Sequence, residues 1–154
     1  MIEILNPDTL EPCKENEIGV AVYTTLWEKG FPLLRYWTGD LMHITYEKCA
    51  CGSALPRIFY KGRLDDSFYL NGRYVFPEEL ENCLFSFGLY HDYLAILRED
   101  GTITVKIEKS LNFSVPSEIE NSIKEIFGQK TNVEYYMPGE LGYSGHGLRF
   151  LKER

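Results

Sequence analysis

The 154-residue chain is poor in several things that would otherwise suggest a function. It has no run of apolar residues long enough for a transmembrane helix, so nothing predicts a bilayer span. Its start, "MIEILNPDTLEP", has no positively charged region followed by an apolar stretch, so no secretory signal is expected and the expected location is cytoplasmic. Positive charge is scarce too. Sixteen Lys and Arg stand against 23 Asp and Glu, for a formal charge of −7, and no basic stripe offsets it. Affinity for nucleic acid or an anionic membrane surface is therefore not expected. Four cysteines (Cys13, Cys49, Cys51 and Cys83) are too few and too unevenly placed for a disulfide scaffold. No Gly/Ser/Thr-rich phosphate loop occurs anywhere, and there are no internal repeats or low-complexity tracts.

Apolar content of 44% and charged content of 25% are those of a folded domain, or of two small lobes. Eleven Tyr and nine Phe favour strands and aromatic packing. "IGVAVYTTLW" reads as a buried strand, and "FPLLRYWTGDLMHITY" as two strands joined at Thr38-Gly39-Asp40. "EKCACGSALPR" reads as a loop bearing the clustered cysteines. Beyond residue 62 the rhythm changes. Asn71-Gly72 between two short strands is a hairpin signal. Pro77-Glu78-Glu79 opens a helix whose apolar face is Leu80, Leu84 and Phe87. Strands flank Asp100-Gly101, a second helix over 117–129 carries Ile119, Ile123 and Ile126 on one face, and a last strand runs over 132–137. The order predicts an α+β chain: a small β-rich subdomain over 1–62, then an α+β domain over 63–154. The second domain is expected to hold a three-stranded sheet plus a hairpin, with helices on one face.

Three stretches invite chemistry. Asp40 at the tip of "RYWTGDL" either caps a turn or accepts the two hydroxyls of a sugar, a geometry that suits a carboxylate. Asp65 and Asp66 in "GRLDDSFYLNGRYVFPEELE" look like a metal or acid/base pair. Neighbours on an extended chain point to opposite faces, however, so neither a shared ion nor a shared proton suits them. Their place at a change of composition suits a hinge, where Asp tolerates unusual backbone geometry. Cys49 and Cys51, with His43 upstream, form either part of a zinc site or a pair of reduced thiols in a tight loop. A structural zinc needs four ligands, and no second clean pair exists.

"GVAVYTTLWEKGFPLLRYWTGDL", "CACGSALPRI" and "GRLDDSFYLNGRYVFPEELE", in that order, resemble the C-terminal part of adenylate-forming enzymes. The resemblance is to phenylacetate-CoA ligases and coenzyme F390 synthetase-like relatives, and it covers nearly the whole chain. It implies activation of a small carboxylic acid by ATP to an acyl-adenylate. Transfer to the thiol of coenzyme A follows, after a rotation of a mobile C-terminal domain. It implies Asp40 at the ribose hydroxyls of ATP or AMP, and Arg63 near the ribose and phosphates. Asp65 would be the hinge, and Gly72 and Arg73 would line the pantetheine channel. It further implies an N-terminal adenylation region, in this polypeptide or a separate chain, supplying the phosphate loop, the acyl pocket and the magnesium site. Zinc at Cys49 and Cys51, with ligands from that region, is implied for some relatives. One departure stands out. Where the family carries a lysine in a Ser-Glu-Gly-Lys-like segment, this chain has "LGYSGHGLRFLKER". Ser144 matches and no lysine stands in place, which leaves His146, Arg149 or the late Lys152 as substitutes, or adenylation impaired. A stand-alone inactive module that senses nucleotide or binds a protein is the alternative.

Overall fold

An asparagine-glycine turn at Asn71-Gly72, an aspartate-glycine turn at Asp100-Gly101, two amphipathic helices and a series of short β-branched runs set much of the element order of the chain. A computed structural model describes residues 1–27, 29–141 and 149–153. It divides into two compact units, Met1–Leu64 and Asp65–Arg154.

The first unit is a four-stranded antiparallel sheet in the order β1-β2-β3-β4. Its strands are β1 (Ile2–Leu5), β2 (Gly19–Tyr23), β3 (Tyr36–Thr45) and β4 (Arg57–Arg63). The expected pair of strands around Thr38-Gly39-Asp40 is a single ten-residue strand. Gly39 has the left-handed φ of 77° that suggests a turn, yet the chain does not reverse there. Instead the register with β2 slips between Val20 and Val22. The Thr38 hydroxyl donates to Ala21 O at 2.9 Å and accepts the Asp40 N–H at 2.9 Å, which bridges the irregularity. The left-handed φ favours glycine there, and a Cβ would also stand 3.2 Å from the Arg63 guanidinium, which would have to shift. The buried cluster on one face of this sheet is small: Ile4, Ala21 and Met42, with Ile2, Cys13, Tyr23 and Ile44 against it.

The second unit opens with the hairpin β5 (Phe68–Leu70) and β6 (Arg73–Val75). Asn71 and Gly72 turn it with φ of 50° and 83°, the two positive values that a two-residue turn of this kind needs. Helix α1 (Pro77–Ser86) follows with proline in its first turn. Next come β7 (Tyr93–Leu97), β8 (Ile103–Glu108), α2 (Ile119–Phe127), β9 (Thr131–Tyr136) and β10 (Phe150–Lys152). The sheet runs β10-β7-β8-β9, one strand more than expected, because β10 adds in parallel to the edge of β7. Alternate residues of each strand (Tyr93 and Ala95, then Ile103, Val105 and Ile107) face Leu80, Leu84, Ile119, Ile123 and Phe127 from the helices. Phe68 stacks on Phe150 at 4.6 Å and closes this core. No helix among the described residues is long and apolar enough to cross a membrane.

Candidate functional site

In the first unit, Asp40 and Arg63 are cross-strand partners on β3 and β4. The Arg63 guanidinium donates to Thr38 O at 3.2 Å and to the Asp40 carboxylate at 3.3 Å. The Asp40 side chain is 26% exposed. It sits within a strand rather than at a free tip, and the bulge at Gly39 is what aims it. Leu64 N–H donates to Gly39 O at 2.8 Å, so the chain is tied to this site up to the last residue of the unit. The arrangement presents one carboxylate, oriented by a guanidinium, on a rigid strand.

Asp65 and Asp66 lie in the turn between β4 and β5 rather than on an extended segment, and their carboxylates take different partners. Asp66 Oδ1 accepts the backbone N–H groups of Arg149 and Phe150 at 3.0 and 2.8 Å. The carboxylate of Asp65 acts instead on Lys152. Much of the Lys152 side chain stays in solvent, yet partial burial pushes its ammonium below the usual lysine range and Asp65 pulls it back up.

Gly72 tops its hairpin with open space where a side chain would stand. Arg73 is anchored away from the tip, donating to Glu79 at 2.7 Å and to Ile126 O at 3.5 Å. Glu79 also accepts the Phe76 N–H at 3.2 Å. It therefore holds a side chain and a backbone N–H at once. Glutamate three places into a proline-led helix is the signal that would have found it.

The thiols of Cys49 and Cys51 lie 2.9 Å apart in an exposed loop. The hydrogen bond from the Cys51 thiol, then the Cys51 backbone N–H, then the nearby Arg57, push the Cys49 thiol below its ordinary range. His43 is not with them; it stacks on Phe59 at 4.9 Å. Among the described residues no group of three or more His, Cys, Asp or Glu could hold a metal ion, so a zinc site is not complete in them.

At the C-terminal end, Ser144 and His146 lie outside the described residues. Arg149 is engaged: it pairs with Asp92 at 3.0 Å and stands over the Tyr93 ring at 5.3 Å. The Tyr93 hydroxyl is pushed well up by burial and by Glu81, with Arg149 opposing.

No protein-family model matches the chain. The fold is that of the C-terminal part of adenylate-forming ligases. 2-Hydroxyisobutyryl-CoA ligase in the postadenylation state, in complex with 2-HIB-AMP, superposes with a TM-score of 0.70 at 22% identity, over 99% of this chain and 36% of that one. A fatty acyl-adenylate ligase from a study of the E. coli and L. pneumophila enzymes superposes at 0.62 with 18% identity, over 97% of this chain and 28% of that one. By sequence, the chain is 34% identical to phenylacetate-coenzyme A ligase of Thermus thermophilus over 99% of its own length. To that of Escherichia coli it is 30% identical over 85%. The chain thus belongs with the C-terminal part of adenylate-forming enzymes of the phenylacetate-CoA ligase type. It spans about a third of the length of these curated relatives, 32% in each case.

Proposed function

We propose that the chain is the C-terminal portion of an ATP-dependent acid–CoA ligase, contributing the ribose carboxylate, the hinge and the thiol-side lid. The observation that carries this reading is the Asp40–Arg63 pair on adjacent strands, buttressed by the Thr38 bridge and the left-handed Gly39. A carboxylate held this way accepts both hydroxyls of a ribose, and the neighbouring guanidinium favours the nucleotide's phosphates. ATP or AMP and coenzyme A would be held jointly with an N-terminal adenylation region. That region would also supply the magnesium site and the pocket for a small carboxylic acid.

Asp65 is the proposed hinge, and the unit Asp65–Arg154 the proposed lid. Leu64 is hydrogen-bonded within the first unit and Asp66 within the second, which supports a pivot at the residue between them. Gly72 and Arg73 are the proposed lining of the pantetheine channel, with Gly72 leaving room for a ligand to approach backbone. Exposed Trp27 (89%), Phe31 (78%) and Leu34 (84%) support a partner region that covers the first unit.

Combining the chain with the N-terminal region of such a ligase should yield acid-dependent ATP–pyrophosphate exchange and acyl-CoA formation. Failure of both would overturn the reading. A second reading, a nucleotide-binding module without adenylation, is favoured by the engagement of Arg149 with Asp92 and Tyr93. It predicts AMP binding and no exchange in the same experiment.

A further inference from the structure

The loop between β3 and β4 brings two thiols together, and neither the ribose carboxylate nor the lid has any use for them. The Gly52 N–H donates to Cys49 O at 2.9 Å, closing a tight turn over Cys49, Ala50, Cys51 and Gly52. Gly52 takes the left-handed φ of 82° that ends such a turn, with open space beside it. Residues two apart on a strand share a face but stand well separated. Here the turn folds them inward, and the two sulfurs lie 2.9 Å apart. A disulfide needs about 2.05 Å, so they would have to approach by only about 1 Å.

The ends of the loop are held, so that movement can stay within the turn. Thr45 and Arg57 are cross-strand partners, Arg57 pairs with Glu47 at 3.0 Å, and Glu15 holds both the Thr45 hydroxyl and the Tyr46 N–H. Asp40 and Arg63 pair at the other end of the same two strands. Access is open as well. Cys51 is exposed and Cys49 half-buried, whereas Cys13 and Cys83 are packed singly against the two hydrophobic clusters. Among the described residues no third His, Cys, Asp or Glu completes a metal-holding group with the pair, so both sulfurs remain open to an incoming reagent.

We propose that Cys49 and Cys51 form a dithiol–disulfide exchange site whose substrate is a low-molecular-weight disulfide. The thiolate of one cysteine attacks a sulfur of the small disulfide and breaks its S–S bond. One small thiolate leaves and takes a proton from water, and a mixed disulfide remains on the protein. The second cysteine gives its proton to water and attacks the protein sulfur of that mixed disulfide, expelling the other small thiol. Two electrons pass from the pair to the small disulfide. The products are a Cys49–Cys51 disulfide and two small thiols, and excess small thiol reverses both steps. A bond closed in so short and exposed a loop belongs to the labile, readily reduced class. This chemistry needs only the chain itself and stands apart from the ligase reading.

The sequence provides a clean readout. Trypsin cuts after Lys48 and Arg57, releasing "CACGSALPR", which carries both cysteines of the loop and neither Cys13 nor Cys83. The reduced 154-residue chain, treated with a chelator, is mixed with oxidised glutathione at neutral pH, quenched with an alkylating reagent, digested and weighed by mass spectrometry. The wild-type peptide should lose two hydrogens, keep no glutathione and resist alkylation, and excess reduced glutathione should restore it. Cys49→Ser and Cys51→Ser should each stop with one glutathione on the remaining cysteine. The loop should react about tenfold or more faster than Cys13 or Cys83.

A wild-type peptide that retains glutathione, or that links two chains instead of closing on itself, would overturn the proposal. Reaction no faster than at Cys13 and Cys83 would overturn it too. So would a chain that carries one zinc before chelation and whose loop thiols are unreactive in that state, because the pair would then be metal ligands.

Discussion

The two units handle their apolar side chains in opposite ways. In Asp65–Arg154 the helices and the alternate residues of four strands enclose a continuous core, with Phe68, Leu80, Ile119, Ile123 and Phe150 wholly buried. In Met1–Leu64 the cluster on one sheet face is three buried residues, while Leu26, Trp27, Phe31, Leu34, Ile58 and Tyr60 stay exposed. A groove of about 680 Å³ lined by Ile2, Tyr23, Leu26, Trp27, Leu33 and Ile58 lies among them. Leu5, Val20, Val22 and Leu41 are buried as well, so what this unit leaves uncovered is the β2–β3 connection and part of β4 rather than a whole sheet face. The second unit is a body with a continuous core, and the first a sheet layer that leaves several large apolar side chains in solvent. The proposed functions follow that division: a rigid carboxylate in the layer, a lid in the body.

The sharpest break of this comparison is a core truncation. Ile123→Ala should destabilise the second unit by roughly 2–5 kcal/mol, read as a lowered unfolding midpoint in denaturant. A much smaller loss would show that the helices do not hold this core. Next, Asp40→Ala should weaken nucleotide binding by about thirtyfold, because a positioned charge-assisted contact worth about 2 kcal/mol is lost. Unchanged affinity by titration calorimetry would remove Asp40 from the site.

Asp65→Pro should then lower one half-reaction by about tenfold and spare the other, since a fixed φ admits one orientation of a hinge. Equal losses would speak against a hinge. On the layer side, Trp27→Ala should change the stability of the isolated chain by no more than about 0.5 kcal/mol, as an exposed side chain does. A core-sized loss would mean that Trp27 is covered in solution.

The smallest effect concerns acid. The Glu15 carboxylate accepts the Tyr46 N–H at 2.7 Å and the Thr45 hydroxyl at 2.9 Å, which lowers its pKa. Its contribution is therefore present above the ordinary glutamate pKa and is lost as pH falls through the lower folded value. Glu15→Gln should flatten that part of the stability–pH curve, measured by thermal unfolding between neutral and acid pH.

Local signals carried most of the second unit. Asn71-Gly72 predicted its turn, Pro77-Glu78-Glu79 its helix start, and Ile119 and Ile123 their buried face, because each depends on residues within a few positions. The expectations that shifted depended on distant partners. Gly39 reads as a turn in one dimension and is a bulge because β2 runs beside it. β10 is three residues long and is a strand only because the edge of β7 accepts it. Asp40 and Arg63 were legible as a family pattern, while their ion pair needed β3 and β4 side by side.

The paired carboxylates show the same limit. Alternation along an extended chain was the reason to expect no shared ion at Asp65 and Asp66, yet the two residues lie in a turn, and it is their separate partners that distinguish them. The sequence by itself determined the Asn71-Gly72 turn, the helix faces and the negative charge. Only the tertiary structure decided that Asp66 reaches backbone 83 and 84 residues away, that Glu108 holds Gly139 and Leu141, and that Asp40 meets Arg63. Backbone N–H groups are the same at every position, so no residue type marks in advance which of them a distant carboxylate will find.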